Sequence, residues 1–187
     1  MTRLIVVQGS PAVGKTTLTR QLATELGMGI VAKDDFKELL YDKLGLPADR
    51  DQSRIYGSAV MQAMFALSRT LLEGGIDHLL ESAFHPDLAE ADFARLLNGL
   101  SDVHVVQLYC HTTPEVQAQR YAQRLTEGTR HPGHPDQSKD ISEFVDYNQR
   151  YTQLALQPCI DVDTTSLSDK ELKPLAQNIK DTLEATS

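Results

Sequence analysis

A nine-residue segment near the start of the chain has the residue types and the spacing to bind phosphate. Residues 9–17 read Gly-Ser-Pro-Ala-Val-Gly-Lys-Thr-Thr, which fits the pattern G-x-x-x-x-G-K-[ST] at every fixed position. In such a loop the backbone N–H groups surround a phosphate, and the lysine reaches the β- and γ-phosphates. The apolar run at residues 4–7 supplies the preceding strand that this motif requires.

We therefore predict that this loop binds the phosphates of ATP. Lys15 is also predicted to act in catalysis, and Thr16 to place its hydroxyl on Mg²⁺. The alternative is a chance glycine turn between a strand and a helix. The predicted ATP-binding residues of the loop are Gly9, Ser10, Pro11, Ala12, Val13, Gly14, Lys15, Thr16 and Thr17.

Two adjacent carboxylates follow the second predicted strand. Asp34 and Asp35 come directly after Lys33, at the sheet edge that should also hold the phosphate-binding loop. A kinase needs a group that accepts the proton of the attacking hydroxyl. We predict that Asp35 is this base and that Asp34 caps the following helix, although the residues alone leave open which of the two is the base. A purely structural role, as a cap and a first-turn acid, is the alternative.

A third acidic residue, Glu81, ends the third predicted strand. That strand is expected to adjoin the first one, so Glu81 is predicted to hold Mg²⁺, through a bound water, or to orient the acceptor. A solvated strand end is the alternative.

Arginines at helical spacing are candidates for the transferring phosphoryl group. Arg120 and Arg124 are four residues apart and so share a helix face, and Arg130 follows in a polar stretch with two prolines and a glycine. We predict catalytic roles for Arg120 and Arg124, nucleotide contacts for Arg124 and Arg130, and a lid at about residues 120–139 that closes over the triphosphate. A solvated helix face is the alternative.

Two further pairs of residues are weaker candidates. His131 and His134 supply too few ligands for a zinc site. We expect them to contact the acceptor or to have a structural part in the lid, and which of these they do stays open. Thr164 and Thr165 follow the fifth predicted strand, where they could border an adenine pocket, although a polar turn predicts the same residues.

Apolar runs alternate with amphipathic helical patterns along the chain. Because the strands are mostly apolar on both faces, we predict an α/β protein of the three-layer P-loop NTPase type, with a five-stranded parallel sheet and helices on both faces. One domain is expected over residues 1–187. The strands are predicted at about residues 4–7, 29–32, 76–84, 103–110 and 159–162.

Composition restricts the class of partner. The formal net charge of −8 disfavours binding to extended nucleic acid, and no stretch of about 18 apolar residues predicts a membrane span. A cytoplasmic location is expected. Cys110 and Cys159 lie in apolar segments, where a buried thiol is more typical than a disulfide.

The combination resembles the zeta toxin, chloramphenicol phosphotransferase and polynucleotide kinase group of P-loop kinases. The segments that carry the resemblance are GSPAVGKTT at 9–17, KDDFK at 33–37, LLESAF at 79–84, and the arginines at 120 and 124 that lead into RHPGH at 130–134. In that group the aspartate of the second strand-to-helix turn is the catalytic base, which the resemblance implies for Asp35. Polynucleotide kinases commonly have a basic residue three positions after the base, and here Glu38 stands there.

These observations predict an ATP-dependent kinase that uses Mg²⁺ and transfers the γ-phosphoryl group to a hydroxyl of a small molecule or nucleotide. A GTPase is disfavoured because the sequence has no N-K-x-D motif. The second hypothesis is a nucleotide-binding regulatory or toxin-like module with little acceptor turnover.

Overall fold

The fold is an alternation of strands and helices. The computed structural model describes residues 1–128, 131–133 and 139–185. Within these residues the elements follow in the order β1 (Thr2–Gln8), α1 (Lys15–Leu26), β2 (Gly29–Ala32), α2 (Lys33–Leu44), α3 (Arg50–Glu73), β3 (His78–Glu81), α4 (Pro86–Leu97), β4 (Val103–His111), α5 (Pro114–Glu127), α6 (Ile141–Arg150), β5 (Cys159–Asp163) and α7 (Asp169–Ala185).

The five strands form one parallel sheet in the order β2-β3-β1-β4-β5. Val7 near the end of β1 pairs with Glu81 at the end of β3, and Glu81 in turn pairs with Ala32 at the end of β2. The carboxyl ends of these three strands therefore lie side by side. In parallel sheets of this kind, ligands bind beyond that edge.

Helices cover both faces of the sheet over separate apolar clusters. One cluster joins Ile5 and Val7 of β1 to side chains of α1 and α7 such as Leu22 and Ile179. The other joins the alternate residues of β1 to α3 and α4, with Phe93 of α4 at its centre. The predicted three-layer α/β fold with a five-stranded parallel sheet is confirmed.

Local sequence signals account for several helix ends. Thr113 caps α5 by accepting a hydrogen bond from the Val116 N–H, and Pro114 occupies the first turn. Asp140 and Glu143, three residues apart in sequence, form a capping box at the start of α6. Gly27 ends α1 in the left-handed conformation, at a φ of 67°, that favours glycine.

Other element boundaries differ from the sequence-based expectation. β3, at His78–Glu81, is shorter than the predicted strand at residues 76–84. α2 begins at Lys33 with Ala32 in the cap position, so the prediction that Asp34 caps this helix is wrong. Asp34 lies in the first turn instead, where a carboxylate interacts favourably with the positive end of the helix dipole.

Two further observations concern thiols and membrane spans. Cys110 and Cys159 are free, and burial raises the pKa of the Cys110 thiol to about 12, so this residue is a neutral part of the core. Among the helices of the described ranges, none is both long and apolar enough to cross a membrane.

Candidate active site

The loop between β1 and α1 depends on glycine at both fixed positions of its motif. Gly9 has a φ of 150°, and a Cβ atom there would overlap the carbonyl oxygen of Cys110 on β4. Gly14 has a φ of 95°, and a Cβ atom there would lie 3.3 Å from Nη1 of Arg120. Only glycine adopts these conformations without strain. The loop is therefore held close to β4 on one side and to α5 on the other.

Lys15 is a buried cation within this loop. Its side chain is folded over the loop, and Nζ donates a hydrogen bond to the Ser10 carbonyl oxygen at 2.9 Å. Burial lowers the pKa of the Lys15 ammonium, and the nearby Glu81 carboxylate partly offsets this effect. A desolvated cation that is held by one neutral carbonyl gains strongly from an added anion such as a phosphate.

Thr16 and Glu81 lie next to each other at the β1–β3 edge. The Thr16 hydroxyl donates to Oε2 of Glu81 at 3.2 Å. Burial raises the pKa of the Glu81 carboxyl, and Lys15 and the Thr16 hydrogen bond act in the opposite direction. Both side chains offer the oxygen ligands that Mg²⁺ prefers. In the described part of the chain no group of three or more His, Cys, Asp or Glu side chains is placed to hold a metal. A site of two protein oxygens still fits Mg²⁺, which keeps several waters and takes further ligands from substrate phosphates.

The two adjacent aspartates have different surroundings. Asp34 lines the cavity that also contains Lys15, Thr16 and Glu81. The Asp35 side chain is 58% exposed and forms a loose ion pair with Arg20 of α1 at 3.7 Å. Asp34, and not Asp35, thus lines this cavity, although the charges of both aspartates raise the pKa of the Glu81 carboxyl. The two residues are adjacent on a helix, so their side chains project about 100° apart around its axis.

Two cavities meet along the phosphate-binding loop. One, of about 240 Å³, extends from the loop toward the ends of β2 and β3, and the other, of about 380 Å³, extends toward α5 and the segment after β5. We call the first the acceptor cavity and the second the base cavity, where base means a nucleotide base and not a proton acceptor. The acceptor cavity is lined by Pro11, Ala12, Gly14, Lys15, Thr16, Thr17, Lys33, Asp34, Glu81, Ser82, Ala83, Tyr121 and Arg124.

The base cavity combines apolar and polar side chains, as a nucleotide base requires. Leu18 and Leu167 contribute apolar surface, and Thr164 lies at the end of β5. The full lining is Ala12, Gly14, Thr17, Leu18, Gln21, Arg120, Gln123, Arg124, Glu127, Thr164 and Leu167.

Arg120 contacts backbone carbonyls on two sides of the base cavity. Its guanidinium donates to the Val13 carbonyl at 3.0 Å, to the Thr164 carbonyl at 2.5 Å and to the Thr165 carbonyl at 3.3 Å. The Thr164 hydroxyl also donates to the carbonyl oxygen of Val13. Arg120 therefore ties the phosphate-binding loop to the segment after β5, and its predicted part in catalysis stays a prediction.

Arg124 is the arginine that lines both cavities. Its guanidinium lies 5.7 Å from the ring centroid of Tyr121, and its Nε donates to the Arg120 carbonyl at 3.3 Å. This position, between the base cavity and the acceptor cavity, suits a donor to the transferring phosphoryl group.

Parts of the predicted lid lie outside the described residues. Arg130 and His134 are among these, so their predicted roles stay predictions. His131 stacks on Tyr41 of α2 and its Nε2 lies 3.1 Å from Oδ1 of Asp42. A Cβ atom at Gly133 would overlap the Tyr41 ring, so this glycine allows residues 131–133 to contact α2 closely.

A hydrogen-bond network behind the loop was not predicted from the sequence. Gln117 of α5 donates through Nε2 to the Ser10 hydroxyl at 2.8 Å and to the Pro11 carbonyl at 2.7 Å. Asn148 of α6 donates to Oε1 of Gln117 at 2.8 Å and accepts a hydrogen bond from the Ser10 hydroxyl. The spacing of Gln117 to Arg120 and Arg124, three and seven residues, was the available signal, because it puts all three on one helix face.

The phosphate-binding loop, the strand order and the helices on both faces define a P-loop kinase-like α/β fold. Residues 4–154 match the family model described as an AAA domain (AAA_33), and the chain belongs to this family. Among curated proteins, the chain is 32% identical over 130 residues to "Uncharacterized protein Rv2004c" of Mycobacterium tuberculosis. That match covers 65% of this chain and 26% of the relative, so the chain corresponds to about a quarter of the relative's length.

Solved structures agree with this fold. A crystal structure from Chloroflexus aurantiacus whose name includes the word kinase is 31% identical, with a TM-score of 0.87 over 97% of this chain and 98% of that one. Chaetomium thermophilum Kti12 in complex with ADP-AlF3 has a TM-score of 0.68 at 17% identity, over 96% and 98% of the two chains.

The Mycobacterium tuberculosis APS kinase CysC, in complex with AMPPNP and APS, has a TM-score of 0.60 at 14% identity, over 98% of each chain. At these identities Kti12 and CysC show likeness of fold alone. The finer resemblance to the zeta toxin, chloramphenicol phosphotransferase and polynucleotide kinase group stays a prediction.

Proposed function

We propose that this protein is an ATP-dependent kinase that transfers the γ-phosphoryl group to a hydroxyl of a small molecule or nucleotide. One observation carries the proposal: the phosphate-binding loop separates a base cavity from a second cavity that contains a carboxylate, Asp34. A protein that only binds nucleotide needs the first cavity. The second offers room for an acceptor beside the end of the phosphate chain.

Asp34 is the proposed general base. Its carboxylate lines the acceptor cavity together with Lys15 and Thr16, the loop residues expected at the β- and γ-phosphates. A hydroxyl that enters this cavity can donate its proton to Asp34 as its oxygen attacks phosphorus. This assignment replaces the one made for Asp35 from the sequence, because Asp35 pairs with Arg20 away from the cavity lining.

Lys15 and Arg124 are the proposed donors to the transferring group. In phosphoryl transfer, charge is spread over the equatorial oxygens, and catalysis consists largely of positioning and electrostatic stabilisation. Lys15 is already desolvated in the loop, so an added phosphate would meet little competition from water. Arg124 lines both cavities and can donate from the opposite side.

Arg120 is better described as a positioning residue than as a donor to the γ-phosphate. Its guanidinium holds the carbonyl oxygens of Val13 and Thr164 and so fixes the wall of the base cavity. We propose that this contact orients the base and, through the loop, the phosphates.

Thr16 and Glu81 are the proposed ligands of Mg²⁺. Bound there, the ion would neutralise charge on the β- and γ-phosphate oxygens. Thr16 offers its hydroxyl, and Glu81 offers a buried carboxylate that already accepts a hydrogen bond from Thr16. This hydrogen bond holds the Thr16 hydroxyl, in the first turn of α1, beside the Glu81 carboxylate at the end of β3.

A screen of hydroxyl acceptors with γ-labelled ATP tests the proposed function. The panel contains nucleosides, oligonucleotide 5′ ends, sugar nucleotides and antibiotics, each in neutral and phosphorylated forms where both exist. We expect label to move to one chemical class of acceptor, and ATP consumption to rise when that class is added. Slow ATP consumption that no acceptor changes would contradict a kinase and favour a nucleotide-binding regulatory module.

A further inference from the structure

Lys33 is a partly buried cation that the proposed mechanism does not use. It is the first residue of α2 and lines the acceptor cavity with Asp34, Glu81 and Ser82. Within residues 1–128, 131–133 and 139–185, the Lys33 ammonium makes no hydrogen bond or ion pair. A cation that is withdrawn from water is normally paired in folded proteins, so this one is available to a ligand.

The charges around Lys33 do not compensate for its burial. Burial lowers the pKa of the Lys33 ammonium, and repulsion by Lys37 lowers it further. Asp34 acts in the opposite direction, but less strongly than Lys37, and Lys15 adds a second repulsion. The local field therefore favours an additional anion although Asp34 lies nearby.

The other two cations of the acceptor cavity already have partners. Lys15 donates to the Ser10 carbonyl, and Arg124 donates to the Arg120 carbonyl and lies over the Tyr121 ring. Both are assigned above to the phosphates of ATP. Lys33 is thus the cation left for the acceptor itself, on the side of the cavity formed by β2 and α2.

We infer that the acceptor is an alcohol that also carries an anionic group, such as a phosphate, sulfate or carboxylate, and that Lys33 binds this group while the hydroxyl faces Asp34. The inference rests on the proposed kinase function and narrows its substrate class. Neutral alcohols would leave the Lys33 ammonium desolvated and unpaired in the occupied cavity, which is costly. An anionic group would replace that cost by a charge-assisted hydrogen bond.

Calorimetric titration of sodium sulfate into the protein saturated with AMPPNP and Mg²⁺ tests this inference. The nucleotide analogue occupies the phosphate-binding loop, so sulfate cannot report on Lys15. Wild-type protein is expected to bind sulfate, and Lys33→Gln to weaken that binding about 10- to 100-fold, the value of a charge-assisted hydrogen bond. Lys43→Gln is the matched control, because Lys43 is an exposed lysine in the last turn of the same helix.

The outcomes separate the inference from the function on which it rests. Sulfate binding that Lys33→Gln weakens and Lys43→Gln preserves supports the inference. Equal sulfate affinity of wild type and Lys33→Gln overturns it, and so does an AMPPNP-loaded wild type that binds no sulfate. Failure of AMPPNP itself to bind would instead overturn the proposed kinase function, and the inference with it.

Discussion

At the scale of single residues, the proposed function depends on which of two adjacent carboxylates lies nearer to the phosphate-binding loop. Asp34 lines the acceptor cavity, whereas Asp35 is exposed and lies 3.7 Å from Arg20. An exposed ion pair at that distance contributes little to stability. The proposed function therefore takes Asp34 as the proton acceptor and expects only a minor structural role for Asp35.

Substitution of each aspartate by asparagine separates these roles. Asp34→Asn keeps the size of the side chain but removes the proton acceptor, so kcat should fall by about 10²–10⁴ while ATP affinity changes little. Asp35→Asn should retain nearly wild-type kcat. Steady-state assays with the acceptor from the labelled-ATP screen measure both variants. The opposite pattern would return the base to Asp35.

Arg124 gives a second prediction at this scale. Lysine keeps the charge but loses the planar fork that grips two phosphate oxygens, so Arg124→Lys should lower kcat markedly and affect ATP binding less. Arg54→Lys is the control, because Arg54 is an exposed arginine of α3 that pairs with Asp51. If Arg124→Lys and Arg54→Lys have the same kcat, the proposed contact with the phosphoryl group is wrong.

At the scale of elements, α5 and α6 brace the phosphate-binding loop from behind. Gln117 is fully buried and contacts both Ser10 and Pro11, and Asn148 of α6 holds its amide oxygen. The network links segments more than 100 residues apart in sequence. The shape of the loop therefore depends on the docking of both helices.

Removal of the Gln117 amide should loosen the loop. Gln117→Leu leaves the Ser10 hydroxyl, the Pro11 carbonyl and the Asn148 amide without this partner, at a cost of about 1–3 kcal/mol for each buried group left unpaired. We expect weaker AMPPNP binding in calorimetry and a lower Tm. Gln119→Leu, on the exposed side of the same helix, should change neither. Unaltered AMPPNP affinity in Gln117→Leu would contradict the proposal that Gln117 positions the phosphate-binding loop.

At this scale, the sequence predicts those structural features that patterns of nearby residues determine. The loop motif, the Thr113 cap and the Asp140–Glu143 capping box involve residues within a few positions of each other, and the structure has all three. Alternation of apolar runs with amphipathic helices was enough to predict the parallel sheet.

The parts that the sequence did not predict depend on the tertiary placement of a helix. A residue's position within α2 does not tell whether Asp34 or Asp35 faces the loop, since that depends on how α2 packs against its neighbours. The contacts of the Arg120 guanidinium with the carbonyl oxygens of Val13 and Thr164 were also not predicted. Such contacts join distant segments and leave no pattern in the sequence.

At the scale of the whole molecule, the net charge is negative, whereas cations outnumber carboxylates in the lining of the acceptor cavity. The chain has a formal net charge of −8, whereas Lys15, Lys33 and Arg124 converge on the acceptor cavity. A small anion can enter that cavity, while a long polyanion would meet the repulsive outer field.

This distribution predicts no binding to extended nucleic acid. Fluorescence anisotropy with labelled duplex DNA at physiological salt should show no saturable binding, because few phosphates can reach a cation at once and little counterion release is gained. A mononucleotide such as AMPPNP with Mg²⁺ should bind under the same conditions. Saturable DNA binding that weakens steeply with added salt would contradict this account of the charges.

Every function proposed above depends on the binding of ATP phosphates at residues 9–17, and Lys15→Ala tests that dependence most directly. The decisive measurement is calorimetric titration of AMPPNP with Mg²⁺ into wild type and this variant. Because burial lowers the pKa of Lys15, the ligand-free cation is held at a cost, and its removal should leave the Tm unchanged or higher. We expect folded Lys15→Ala protein whose AMPPNP affinity is at least about 10-fold weaker than that of wild type, in line with the loss of a charge-assisted hydrogen bond. A folded variant that binds AMPPNP as tightly as wild type would contradict the account.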